Sequence, residues 1–298
     1  MPVALDYAIV DVFTSTPFAG NPLAVVMNTA NLSTEQMQSV AREFNLSETT
    51  FVERRPAAIE AAEGVRVRIF TTQEELPFAG HPTLGTASVL RLTAPETLRD
   101  SVITLAENVG PIPVRFADPD TLFGEMTQRD PEFGPELDPA QVARLCGLDP
   151  SDLDPSNSPQ VVSTGNGFAI VLLRSVHALA RLNVNHDEAT PFLRAHNGRW
   201  FYVLAPAQDE AGTQCFRARM QFNGAEDPAT GSAAGCAVAY LVQRKLAPSG
   251  IRFLLRQGVE IGRPSEIFVA AQASGPGVGD IRVAGSTVLV AKGRLFLP

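Results

Sequence analysis

The chain has 298 residues, 45% hydrophobic and 19% charged, which fits one large or two ordinary folded domains and argues against disorder. Acidic residues outnumber basic ones, 32 to 24, for a formal net charge of −8, and no basic run offers the footprint of a nucleic-acid binder. No stretch reaches the ~18 apolar residues of a membrane span. The opening MPVALDYAIV has no basic leader and runs directly into strand-like sequence, so no secretory signal is expected.

In chain order, short β-branched and aromatic runs bounded by turn residues predict strands over 6–13 and 23–27. Ser33-Thr34-Glu35-Gln36 resembles a capping box that opens a helix running to about Phe44. Strands are expected over 50–53 and 65–70, a helix over 83–92, then strands over 101–105, 112–116 and 122–128. Residues 118–159 carry seven prolines and form the expected linker, with one short helix over 139–146 entered from Asp138 and ended at Gly147. Beyond it come strands over 161–164 and 168–173, a short helix over 186–195, and strands over 200–205 and 216–222. A helix over 232–245 and strands over 266–272, 280–283 and 286–291 complete the chain. The helices over 83–92 and 232–245 are built from Ala, Leu, Val and Gly almost all round, which predicts that both are buried. A boundary near residue 118 leaves each half with many strands and one such helix.

An internal repeat supports that division. Pro17-Phe18-Ala19-Gly20-Asn21-Pro22 returns as Pro77-Phe78-Ala79-Gly80-His81-Pro82, identical at five of six positions. A weaker echo, Asp227-Pro228-Ala229-Thr230-Gly231-Ser232, precedes the second apolar helix. Helix N-termini present unpaired N–H groups and a partial positive charge, so two such starts, if they converge, suit a small carboxylate. Glu48, among the hydroxyls of Leu46-Ser47-Glu48-Thr49-Thr50, reads either as a solvated turn residue or as a shielded general base whose acidity is shifted toward neutrality. His81 reads as an N-cap, a satisfied core histidine or a catalytic group, and Asp227 as an N-cap or a catalytic group. Phe18, Phe51, Phe70 and Phe78 are expected to pack in the core.

Cys146, Cys215 and Cys236 are dispersed, with no CxxC spacing, and are expected to be reduced thiols of a cytoplasmic protein. The four histidines show no paired spacing, so no metal site is expected. No phosphate-binding glycine motif points to a nucleotide cofactor.

Four segments, DVFTSTPFAGNPLAVV (11–26), LSETTFV (46–52), RIFTTQEELPFAGHPTLGTA (68–87) and FNGAEDPATGSAAG (222–235), together resemble the phenazine-biosynthesis PhzF-like isomerase family. The resemblance implies an α+β, diaminopimelate-epimerase-like fold: two pseudo-symmetric mixed β-barrel domains, each wrapped around a central α-helix, with the active site in the cleft between. It implies that strand 286–298 returns to the N-terminal domain, 1–118, leaving 119–285 as the C-terminal domain. It also implies a homodimer without cofactor that acts on a small-molecule carboxylate, with no nucleic-acid or membrane partner. The family's acid/base glutamate falls on Glu48, its motif histidine on His81 and its motif aspartate on Asp227. Its substrate-binding glycine and serine fall on Gly231 and Ser232, with Gly80 at the opposite helix start. By this resemblance Glu48 moves a proton between carbons of the substrate. The alternatives are an epimerase or racemase on the same fold, and a small-acid or protein binder without turnover. The family's epimerase rivals use a cysteine at each helix start, and neither start here has one.

Overall fold

The computed structural model describes residues 3–222, 225–275 and 277–297. Asn223 and Gly224, within the fourth segment quoted above, lie outside the described residues. The chain forms two compact units, Met1–Thr127 with Ala284–Pro298, and Gln128–Val283.

In the first unit β1 (Val3–Val12) pairs antiparallel with β2 (Asn21–Val26) and, on its other side, with the last strand of the chain, Thr287–Leu297. After β2 comes α1 (Thr34–Phe44), then β3 (Glu48–Glu53), which lies parallel to β2. The predicted capping box is present: Ser33 accepts from the Gln36 N–H, and the Gln36 side chain accepts from the Ser33 N–H. Met37, Val40 and Ala41 turn the inner face of α1 onto Phe51 and Phe70, whose rings meet edge to face at 5.3 Å. A short helix, α2 (Ala57–Glu63), leads to β4 (Val65–Phe70), antiparallel to β3. β5 (Glu75–Leu76) then precedes α3 (Gly80–Thr93). β6 (Val102–Glu107) runs parallel to β4, and β7 (Gly110–Phe116) and β8 (Gly124–Thr127) follow antiparallel.

This mixed sheet surrounds α3, which packs against β1, β2, β3, β6, β7, β8 and the last strand. Every residue from Gly80 to Leu90 is buried. A Cβ at Gly85 would stand 2.6 Å from the Leu23 side chain and 2.7 Å from that of Val12, so only glycine allows this approach. Thr86 bonds Thr50 at 2.8 Å, and Ser88 donates to the Leu84 carbonyl at 2.9 Å.

In the second unit β9 (Glu132–Glu136) pairs antiparallel with β10 (Gln160–Ser163), and β10 with β11 (Gly167–Leu172). β11 runs parallel to β12 (Trp200–Gln208), which pairs antiparallel with β13 (Gln214–Arg219). A small hairpin, β14 (Gln221–Phe222) and β15 (Ala225–Glu226), precedes β16 (Phe253–Gln257), which is parallel to β13. β17 (Ser265–Ser274) pairs antiparallel with β16 and neighbours β18 (Gly277–Gly285). The outer helices α4 (Pro139–Leu145), α5 (Val176–Ala180) and α6 (His186–Ala195) close a core containing Leu145, Leu179, Leu193, Val171 and Phe201. The inner helix α7 (Gly231–Gln243) packs against β10, β11 and β17 and is buried from Ala233 to Val242.

The structure corrects several sequence expectations. Residues 118–159 are not a linker. They hold β8, β9 and α4, and Pro139 sits at the first position of α4, where no N–H is needed. The unit boundary falls after Thr127 rather than near 118, because Met126 of β8 pairs back onto Val114. Both inner helices begin before the predicted positions, α3 at Gly80 and α7 at Gly231; in α3, Pro82 in the first turn forfeits no helical bond. Short α2, α5, β5, β9, β15 and β16 were not expected. Phe51 and Phe70 are core residues, but Phe18 is 74% exposed and Phe78 only half-buried.

Candidate active site

In the first unit the repeated motif explains the local geometry. The loop between β1 and β2 is held by the buried Asp11 carboxylate, which accepts from the Phe18 N–H at 2.7 Å. It closes at Gly20, with φ +65°, where a Cβ would stand 2.3 Å from the Val12 carbonyl. Asn21 then enters β2 fully buried. Its Nδ2 lies 3.2 Å from Nδ1 of His81, the second residue of α3. The single position at which the two repeat copies differ is thus where they touch.

Asn21 donates through its amide nitrogen, so His81 Nδ1 accepts and the ring proton stands on Nε2. That nitrogen faces Glu48, the first residue of β3, with 3.4 Å between His81 Nε2 and Glu48 Oε2. Burial lowers the imidazole to about 3, and the positive end of α3 also opposes an imidazolium. The pair is therefore a neutral N–H facing a carboxyl group and not an ion pair. The gap is slightly long for a hydrogen bond, as catalytic contacts often are before substrate arrives. The N-cap of α3 is Ala79, so His81 is not the N-cap.

In the second unit Asp227 is buried three residues before the N-cap of α7, Thr230. The Thr230 hydroxyl donates to Asp227 Oδ2 at 2.6 Å. Gln257, the last residue of β16 and fully buried, uses all four of its hydrogen-bonding sites here. Its Nε2 donates to the Asp227 carbonyl at 2.8 Å and to Thr230 Oγ1 at 2.9 Å. Its Oε1 accepts from the Thr230 N–H at 3.1 Å and the Tyr202 hydroxyl at 2.9 Å. Gly231 is buried and Ser232 half-buried at the start of α7. The Gly231 carbonyl accepts from Gln128 Nε2 at 2.9 Å, and Thr164 holds the other end of that amide at 2.8 Å.

Glu48, His81 and Gly80 thus stand together in the first unit, and Asp227, Gly231 and Ser232 in the second. Sequence reasoning missed Asn21, Thr230, Tyr202, Gln128 and Gln257. For Asn21 a signal existed, its place opposite His81 in the repeat. Gln257 lies on a strand that was itself not expected.

All three cysteines are buried and free, and burial pushes Cys146 up to about 12 and Cys236 up to about 11. Neither inner helix start carries a thiol. Among the described residues no three His, Cys, Asp or Glu side chains gather as metal ligands.

A family model described as phenazine biosynthesis-like protein matches residues 10–293. The chain belongs to that PhzC–PhzF family. The trans-2,3-dihydro-3-hydroxyanthranilate isomerase of Pseudomonas aeruginosa is 35% identical over 98% of this chain and 99% of its own. An uncharacterized isomerase of Mesorhizobium japonicum is 34% identical over the same shares. Among solved structures, a predicted epimerase from Pseudomonas aeruginosa superposes with a TM-score of 0.82 at 33% identity, covering 98% of this chain and 99% of that one. A hydroxyproline epimerase from Agrobacterium vitis, 13% identical with a TM-score of 0.62 over 99% of this chain and 93% of its own, shares the fold. The fold class is therefore α+β of the diaminopimelate-epimerase-like kind, and this PhzC–PhzF member is an enzyme of the isomerase class. No helix among the described residues is long and apolar enough to cross a membrane.

Proposed function

We propose that this chain is a cofactor-independent isomerase that moves a proton between two carbons of a small cyclic amino carboxylic acid, with Glu48 as the acid/base group. The Glu48 carboxylate takes a proton from carbon, leaving the electron pair in the conjugated system of the substrate. The carboxylic acid so formed returns that proton to a second carbon on the same face, and the double bond shifts. Atoms and electrons balance within the substrate. The neutral Nε2–H of His81 steadies the carboxylate before transfer, and Asn21 keeps that hydrogen on the correct nitrogen. In the second unit Asp227 is to position a polar group, and the N–H groups of Gly231 and Ser232 at the start of α7 are to receive a carboxylate.

The observation that carries this reading is the Glu48–His81 contact with Asn21 on the far ring nitrogen. The name of the Pseudomonas aeruginosa isomerase supports a substrate of the dihydro-hydroxyanthranilate kind. The test is incubation in D₂O with trans-2,3-dihydro-3-hydroxyanthranilate and with a panel of small cyclic and amino acids, followed by NMR. Carbon-bound deuterium or isomerised product that vanishes in Glu48→Gln and persists in Cys236→Ala supports the isomerase. Exchange at a single stereocentre that depends on a cysteine favours an epimerase. Binding without exchange makes the chain a binder.

A further inference from the structure

Glu107, the last residue of β6, is a buried acid that the proposed chemistry does not use; it is 5% exposed. Its Oε1 lies 2.6 Å from Thr83 Oγ1, in the first turn of α3. The same hydroxyl lies 2.7 Å from the carbonyl of Ala79, the N-cap. A hydroxyl has one hydrogen, and a carbonyl only accepts. That one hydrogen cannot serve both acceptors fully, whereas a protonated Glu107 that donates to Thr83 Oγ1 while Thr83 donates to Ala79 satisfies both short contacts. The other carboxyl oxygen, Oε2, is buried with no hydrogen-bond partner among the described residues. A neutral acid tolerates that far better than an anion.

We propose that Glu107, in its neutral form, is a positioning residue that clamps the Ala79–Thr83 turn through the Thr83 hydroxyl and so sets the first turn of α3, where Gly80 and His81 stand. This rests on the reading of that helix start as part of the substrate site. Neutrality has a functional sense. A carboxylate here would cancel part of the positive end of α3 that is to receive the substrate anion.

The surroundings agree. Burial raises the carboxyl to about 8, against smaller opposing effects of Thr83 and Arg66. Arg66 on β4 is committed to the Ala106 carbonyl and to Asn108. Of the other ionisable groups on elements packed against β6, Arg68 pairs with Glu75, Glu60 with Arg54 and Glu63 with Arg55. On α3, His81 is neutral and Arg91 bonds the carbonyls of Asp118 and Pro119. Arg115 stands at the far end of β7, opposite Val102.

The deciding experiment is a carboxyl ¹³C NMR titration of the full chain labelled at glutamate, compared with Glu107→Gln, whose amide donates to Thr83 without a charge. The proposal expects one resonance that titrates on the alkaline side of neutrality and is absent from the variant. If the missing resonance titrates in the ordinary acid range, the proposal is overturned, whatever the fate of the isomerase reading. A second readout uses trans-2,3-dihydro-3-hydroxyanthranilate. KM is expected to rise several-fold through the alkaline range in the wild type and stay flat in Glu107→Gln, with kcat little changed. A KM profile identical in both proteins overturns the positioning role. Amide exchange in the first turn of α3 is expected to match wild type in Glu107→Gln and to accelerate in Glu107→Leu. Equal protection in both variants also overturns it.

Discussion

The starts of the two inner helices are built from similar sequence and finished differently. At α7 the polar groups are tied off: Gln257 satisfies the Asp227 carbonyl, the Thr230 N–H and hydroxyl and the Tyr202 hydroxyl at once. The Gln257 amide does not ionise, and Asp227, which accepts from the Thr230 hydroxyl, is the acid it surrounds. At α3 the groups are ionisable: Glu48 and His81 face each other across 3.4 Å, and the buried acid Glu107 sits beneath the turn. The contrast separates a fixed cradle from a place able to move a proton, and the proposed roles of Asp227 and Glu48 follow that division.

The comparison is broken most severely by Glu48→Gln, which removes the only proposed proton carrier. Turnover and carbon–deuterium exchange are expected to fall about 10²–10⁴-fold, the usual scale for a positioned acid/base group. Next come His81→Ala and Asp227→Asn, each expected to slow turnover by about 10²-fold while leaving the circular dichroism spectrum unchanged. Gln257→Leu attacks the cradle instead. It strands several buried polar groups and is expected to cost about 3 kcal/mol in urea unfolding. A loss below about 1 kcal/mol contradicts the four-way clamp.

The smallest effect sharpens the α3 side through pH. The folded-state value for Glu107, about 8, lies above its ordinary 4.5. Its stabilising contribution is therefore fully present below about 4.5 and is lost as pH rises toward 8. Glu107→Gln is expected to flatten that part of the stability–pH curve, as measured by urea midpoints across the range. His81 has the opposite sign. Held near 3 against an ordinary 6.5, it contributes stability above 6.5 that is lost as pH falls toward 3.

Much of this is legible in the sequence. Helices of Ala, Gly, Leu and Val without a polar face have nowhere to go but inside, and the PFAG repeat marked the loop and the helix start that meet at Asn21 and His81. Other features depend on packing that spacing does not encode. Gln257 ends a five-residue strand and becomes informative only when Tyr202 and Thr230 surround it. Glu107 precedes a hairpin turn, where a glutamate is ordinarily solvated, and α3 dries it out. The prolines of 118–159 resemble a linker because the places of Pro135 on β9, Pro139 in the first turn of α4 and Pro150 in a 3₁₀ turn are visible only once pairing is known. Phe18 was placed in the core by its hydrophobicity, yet the tight turn that Asp11 holds leaves it exposed.

The most direct test of the central claim is the position of deuterium in product formed in D₂O from trans-2,3-dihydro-3-hydroxyanthranilate, with Glu48→Gln beside the wild type. One shuttling carboxyl predicts isomerised product in which any deuterium, taken up when the Glu48 acid exchanges with solvent before return, sits only at the carbon that receives the proton, and no product from the variant. Product formed equally by both proteins, or label at other carbons, would contradict it.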